Sequence, residues 1–176
     1  MWLIALKGLS GSGKSTPGRA LSKQLGWPLI DKDDVKDLLD GYTPEAGGLA
    51  YDIMFTIARR QLLQGLNVVC DSPLVSSMSY QRARDVVVET FSSLAVIECR
   101  CTDEWLWSQR INERKSLQLP EHHQTDWDAF SRIYLSKLAE GNYPITDPVL
   151  VIDTARPFQE CLVEAVDWIE QLPESS

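Results

Sequence analysis

Short runs of consecutive apolar residues alternate along the chain with longer stretches in which apolar positions recur every three or four residues. The short runs have the character of strands buried on both faces. The longer ones have the character of amphipathic helices, and their alternation builds βαβ units around a parallel sheet. Residues 2–6 predict a first strand. Residues 14–25 predict a helix closed by Gly26, with Pro17 in its first turn, where proline removes no intrahelical bond. Residues 29–30 predict a second strand ending at Asp31, and residues 33–40 a short helix stopped by Gly41. A loop over 42–48 leads to a helix over 49–64, with Leu49, Ile53 and Ile57 on one face and Gly65 at its end. A third strand over 67–70 runs into Asp71. A helix over 77–91, a fourth strand over 94–101 and a helix over 103–114 follow. Residues 116–126 are polar, contain Pro120 and have no period, which predicts a flap. The pattern closes with a helix over 127–140, a fifth strand over 149–152 and a last helix over 157–171. Five helix-connected strands predict one α/β domain of three α/β/α layers.

Composition narrows the class. With 176 residues, 44% hydrophobic and 24% charged, the chain is expected to be one soluble domain with a real core. No apolar run approaches the ~20 residues that span a bilayer, and no leader pattern surrounds the first strand. A cytoplasmic protein with no membrane partner is expected, as a monomer or a homodimer. The four cysteines form no C-x-x-C pair and read as buried, reduced thiols, while the adjacent His122 and His123 lack a third ligand at zinc spacing. A net charge of −8 repels a phosphate backbone, so a nucleic-acid partner is not expected. A short nucleotide or small anion, held by a few local groups, stays compatible with it.

The strongest chemistry is Gly8-x-x-x-x-Gly13-Lys14-Ser15, placed after a strand and opening a helix. Gly8, Gly11 and Gly13 let the backbone curl, so that N–H groups along Ser10 to Ser12 face phosphate oxygens. The helix N-terminus adds partial positive charge. Lys14 is placed to reach the β- and γ-phosphates, Ser15 to ligate Mg²⁺ and Thr16 to reach the α-phosphate. ATP and Mg²⁺ are the expected cofactors.

Two acidic positions and an arginine pair surround this loop in the predicted topology. Asp31 and Asp33 follow the second strand, and carboxyl ends of parallel strands converge on the ligand crevice. There a carboxylate can accept a proton from an attacking hydroxyl or help to place the metal. Asp31, Asp33 and Asp34 also suit helix capping, and both readings stay open. Asp71 suits a Mg²⁺-water or substrate ligand, or a turn. Arg110 and Arg114 lie four apart on one helical face before the flap. Closure would bring Arg114 over a transferring phosphoryl group, whereas spacing alone also fits a solvated face. Trp105, Trp107, Trp127, Tyr134 and Trp168 read as core, and Tyr42, Tyr51 or Phe55 could line an acceptor pocket.

Taken in order, Gly8 to Thr16, Lys32-Asp33-Asp34-Val35-Lys36, Val69 to Ser72, Trp107 to Arg114 with Pro120, and Val151 to Thr154 resemble the P-loop kinases of the polynucleotide 5′-kinase, zeta-toxin and shikimate-kinase-like group, the AAA-domain-33 proteins. The resemblance covers nearly the whole chain. It implies strand order 2-3-1-4-5, a lid over about 114–126 and a single domain over 1–176. It also implies Asp33 as general base, Lys36 as a substrate contact, Arg114 as the lid arginine with Arg110 one turn before it, and Asp153-Thr154 as a frame for adenine. On the reading of the residues themselves, Asp71 is a candidate substrate ligand, and Asp31 or Asp71 would assist Ser15 in holding Mg²⁺. Shikimate kinases carry a glycine triplet where this chain has Asp71-Ser72-Pro73. Gluconate kinases carry a histidine that Asp34-Val35 lacks. Lys36 stands where polynucleotide kinases have arginine. The expectation is therefore ATP-dependent phosphorylation of a hydroxyl on a small molecule. A nucleoside, nucleotide or polynucleotide 5′-hydroxyl is the rival acceptor. A nucleotide-binding ATPase switch acting through a protein partner is the rival of another class.

Overall fold

A computed structural model describes residues 1–117, 125–134 and 142–173. Its sheet is built from β1 (Trp2–Lys7), β2 (Leu29–Asp31), β3 (Val68–Asp71), β4 (Ser93–Arg100) and β5 (Val149–Asp153). All neighbours are parallel, and the order is β2-β3-β1-β4-β5, as the resemblance implied. The described helices are α1 (Ser15–Leu25), α2 (Lys32–Leu39), α3 (Ala46–Leu63), α4 (Ser77–Glu89), α5 (Glu104–Leu117), α6 (Trp127–Tyr134) and α7 (Phe158–Glu170).

Successive strand residues face opposite layers, and the apolar runs are continuous because both layers are filled. Leu3 and Ala5 of β1 pack with Val68, Cys70, Leu94 and Val96 against α3 and α4. Ile4 and Leu6 pack with Val69, Ala95, Ile97 and Ile152 against α1 and α7. Burial of each such aliphatic side chain stabilises the fold by about 1.5–3 kcal/mol. Gly18 lets α1 approach closely, since a Cβ there would lie 2.4 Å from Leu6 Cδ1. The chain leaves β1 towards β2 on one side and reaches β4 on the other. The crevice of such a sheet opens where those directions diverge, at the carboxyl end of β1.

The boundaries shift by a residue or two at several ends, and the differences at α2, α3 and α5 have clear causes. α2 starts at Lys32 because the Asp31 carboxylate caps it, accepting the Asp33 N–H at 2.9 Å. α3 starts at Ala46 and takes in Gly47 and Gly48, which local propensity placed in a loop; buried Ala46 and Ala50 anchor that first turn. α5 runs past Arg114 to Leu117. Residues 114–117 of the expected lid are thus helical, and residues 118–124 lie outside the described residues. The expected helix over 127–140 is described as far as Tyr134. All four cysteines are free and buried. No helix among the described residues is long and apolar enough to cross a membrane.

Candidate functional site

The glycine loop between β1 and α1 lies at the carboxyl end of the central strand. Gly11 and Gly13 have φ of 75° and 82°, in the left-handed region where a side chain is strained. Gly8 lacks room for one as well: a Cβ would stand 2.5 Å from Ser12 Oγ and 2.6 Å from the Cys99 carbonyl oxygen. The Gly8 N–H donates to Pro73 O at 3.1 Å, which ties the start of the loop to the segment after β3. Lys14 is buried, and it is the last residue before α1. Ser15 opens the helix, next to the loop that would hold phosphate.

β2 and β3 deliver the acids. Asp31 and Asp71 are register partners on adjacent parallel strands. Asp71 is 1% exposed, and neither carboxylate oxygen has a hydrogen-bond partner. Burial, followed by the charge of Asp71, pushes the Asp31 carboxyl up to about 6, although the Asp33 N–H works the other way. A buried carboxylate without donors beside a second acid is a poor arrangement for an empty core and a good one for a cation. The hard oxygen donors of Asp71, Asp31 and Ser15 fit Mg²⁺.

Asp33 stands one step further along. Its carboxylate pairs with the Lys32 ammonium at 2.6 Å, and that ammonium lies 5.6 Å from the centre of the Tyr51 ring. Lys32 is only 5% exposed, which is uncommon for lysine unless its charge is matched. The Tyr51 hydroxyl accepts the N–H of Leu74 at 3.0 Å, and the Tyr143 hydroxyl donates to the Leu74 carbonyl at 2.6 Å. These two bonds hold Leu74 at a φ of 46°, so the segment behind Asp71 is strained and clamped from both sides. Lys36 pairs with Asp40 along its own helix.

α5 and the β5–α7 turn form the opposite wall. Arg110 donates through Nη1 to Thr154 Oγ1 at 3.1 Å and through Nη2 to the Thr154 carbonyl at 2.8 Å. Thr154 in turn donates from Oγ1 to the Ser12 carbonyl at 2.6 Å. Arg114 is half-buried. Burial and then the neighbouring Arg110 lower its guanidinium below the usual arginine value, while Asp71 and Asp33 act on it in the opposite sense. Arg114 thus shares an electrostatic neighbourhood with both acids. Gly13, Thr16, Arg110, Arg114, Thr154 and Phe158 border a cavity of about 230 Å³. A larger, open hollow of about 670 Å³ lies along the outside of α7 and includes no residue of the glycine loop.

The fold therefore gathers the loop residues, Asp31, Asp33, Asp71, Arg110 and Arg114 at the carboxyl end of the sheet. It does not bring Asp153 onto the cavity. That carboxylate accepts from Thr102 Oγ1 at 2.6 Å and from the N–H of Ala155 at 3.0 Å, joining the ends of β4 and β5. Burial raises it, and these bonds lower it to a net value below the ordinary one. Sequence reasoning gave no role to Lys32, to the Thr154 hydroxyl or to Trp107. Lys32 carried a signal, a lysine inside an acidic run. The other two act through tertiary contacts that no local pattern announces.

The sequence matches the AAA domain family (AAA_33) over residues 3–132. Solved structures share the fold. A candidate kinase from Chloroflexus aurantiacus J-10-fl is 22% identical, with 98% of each chain covered and a TM-score of 0.77. The Mycobacterium tuberculosis APS kinase CysC, in complex with AMPPNP and APS, is 15% identical over 96% of this chain and 97% of that one, with a TM-score of 0.68. Chaetomium thermophilum Kti12, in complex with ADP-AlF3, is 16% identical over 94% of this chain and 97% of that one, also with a TM-score of 0.68. At these identities the likeness is one of fold. No curated protein matches the sequence.

Proposed function

We infer the function from one established premise, that the chain belongs to the AAA domain family, and from the reading of its glycine loop as a phosphate-binding loop. On this footing we propose that it is an ATP-dependent phosphotransferase acting on a hydroxyl of a small molecule. The observation that carries the reading is the Asp71 carboxylate, buried and without hydrogen-bond partners at the mouth of the loop.

The loop amides and Lys14 would hold the triphosphate, with its base towards the cavity bordered by Thr16, Arg110 and Phe158. Ser15, Asp71 and Asp31 would hold Mg²⁺. When bound, the metal neutralises charge on the phosphoryl oxygens. Asp33 would take the proton of the accepting hydroxyl, kept anionic and aimed by its Lys32 partner. Arg114 would face the charge that develops during transfer. Arg110, fastened to Thr154, would instead wall the base cavity. Positioning and charge stabilisation suffice for this chemistry, so the reading needs no covalent enzyme intermediate.

A phosphate loop binds nucleotide whether or not an acceptor follows, so the second reading is a nucleotide-dependent switch that hydrolyses ATP slowly and signals to a protein. One experiment separates the two. Purified protein with Mg²⁺-ATP is screened against polyols, amino alcohols, nucleosides and 5′-hydroxyl oligonucleotides for ADP release. Release that rises with one small acceptor, together with a phosphorylated product, supports the kinase. A slow release that no acceptor changes would refute it in favour of the switch.

A further inference from the structure

A trans peptide holds its C=O and the following N–H on opposite sides of the backbone. A loop that turns the amides of Gly11 and Gly13 into a phosphate cradle must therefore turn the carbonyls of Ser10 and Ser12 out of it. Both carbonyls are gripped from outside. Ser12 O accepts from Thr154 Oγ1 at 2.6 Å, and Ser10 O accepts from the indole Nε1–H of Trp107 at 2.9 Å. The grips come from separate elements, the β5–α7 turn and α5. They fall on the two peptides that lead into the left-handed glycines, where the backbone is freest to take another conformation.

Trp107 also meets the loop by shape. A Cβ on Gly11 would stand 3.0 Å from the Trp107 ring and 2.6 Å from Ile111 Cγ1. The ring itself is held. It makes edge-to-face contacts with Trp127 at 5.7 Å and with Phe130 at 5.6 Å, and Phe130 is 1% exposed. α6, which supplies both partners, is fastened to α5 by the Trp127 N–H on Asn112 Oδ1 at 3.0 Å and by the Lys115–Asp126 ion pair at 2.7 Å.

We propose that Trp107 is a positioning residue for the phosphate loop, fixing the Ser10–Gly11 peptide so that the Gly11 amide faces the nucleotide, and that it thereby sets nucleotide affinity from outside the binding site. A flipped peptide would present a carbonyl oxygen to the phosphates in place of a donor. The inference rests on the nucleotide-holding half of the function proposed above and is independent of the acceptor.

The test compares Mg²⁺-ADP binding by titration calorimetry in the wild-type chain, in Trp107→Phe and in a chain with benzothienylalanine at position 107. That isostere replaces the indole N–H by sulfur at nearly constant shape, so it keeps the ring packing if the Phe variant folds poorly. Loss of one net hydrogen bond is expected to weaken binding about two- to tenfold. The nucleotide-free isostere should melt lower by no more than the few degrees one hydrogen bond accounts for, and weaker binding beside that small shift supports the positioning role, whereas a purely structural role would leave affinity unchanged. Thr154→Val should weaken binding in the same range. Unchanged affinity in the isostere beside a wild-type chain that binds would overturn the role of Trp107 alone. A wild-type chain with no saturable uptake would overturn both this inference and the function it draws on.

Discussion

Replacing Asp71 by Asn is expected to make the nucleotide-free protein more stable and its magnesium–nucleotide complex weaker. Asp71 is a desolvated carboxylate without hydrogen-bond partners, and its register partner Asp31 titrates near 6 against an ordinary 3.8. At about 1.36 kcal/mol per unit, that difference of roughly 2 would amount to about 3 kcal/mol in a dry site. Asp31 is only half-buried, and burial is the larger of its causes. Discounting for both leaves about 1 kcal/mol of repulsion from Asp71. An acid raised in the folded state stabilises it fully below about pH 4, and that contribution is lost as pH climbs through 6. The wild-type chain should therefore lose stability between pH 4 and pH 7 through this pair, and Asp71→Asn should lose less. At pH 7 the variant should melt about 2–4 °C higher without ligand, the shift of ~1 kcal/mol in a chain of this size. Ligand stabilises by RT ln(1 + [L]/Kd), so the variant should also lose most of the rise in melting temperature that Mg²⁺-ATP gives the wild type. Scanning calorimetry at pH 5 and pH 7, with and without Mg²⁺-ATP, reads all of these quantities. A variant that melts lower without ligand yet keeps the full ligand-dependent rise would refute the reasoning.

Asp33→Asn should leave ATP binding nearly intact while slowing transfer by ~10²-fold or more, the scale of a lost general base; equal turnover would reassign Asp33 to a structural ion pair with Lys32. Lys14→Ala should abolish saturable nucleotide uptake in equilibrium dialysis, and wild-type affinity in that variant would remove the loop from the mechanism. Lys32→Met strips Asp33 of its charged partner and should reduce stability by roughly 1.5–3 kcal/mol in a urea titration, with kcat falling and KM for ATP unchanged; Lys32→Arg should recover part of both. Gly18→Ala drives a methyl to within 2.4 Å of Leu6 Cδ1 and should cost about 1–3 kcal/mol by overpacking in the same titration; wild-type stability in that variant would refute the close approach of α1 to β1.

The sheet was legible because its strands are buried on both faces. Leu3 to Leu6 are all apolar since β1 is covered by α3 and α4 on one side and by α1 and α7 on the other, and a central strand leaves no polar position to confuse the pattern. The helix starts were less legible. Gly47 and Gly48 disfavour a helix by local propensity, yet the turn that contains them forms because Ala46 and Ala50 bury against the core, an advantage that no window of sequence shows. The end of α5 was missed for a related reason. Trp107, Asn112 and Lys115 hold α6 against it, so the helix persists beyond Arg114 on contacts made far along the chain.

The site divides along the same line. Groups that act through their own strand or loop could be read directly. The glycines, Lys14 and Ser15 belong to one turn, and Asp31 and Asp71 sit at strand ends that a parallel sheet must bring together. Groups that act by holding another group could not. Arg110 reads from its spacing as a second cation beside Arg114, but its guanidinium grips Thr154, which grips Ser12, so it also braces the loop through a chain of hydrogen bonds. The resemblance puts Asp153 in the segment that frames adenine, and its carboxylate is engaged elsewhere, by the hydroxyl of Thr102 and the amide of Ala155. A carboxylate at a strand end is thus the stronger candidate for the reaction the fewer donors its neighbours supply. Asp71 has none and Asp153 has several, which is why the proposed reading puts the metal and the chemistry on the β2–β3 side of the loop and the base on the β4–β5 side.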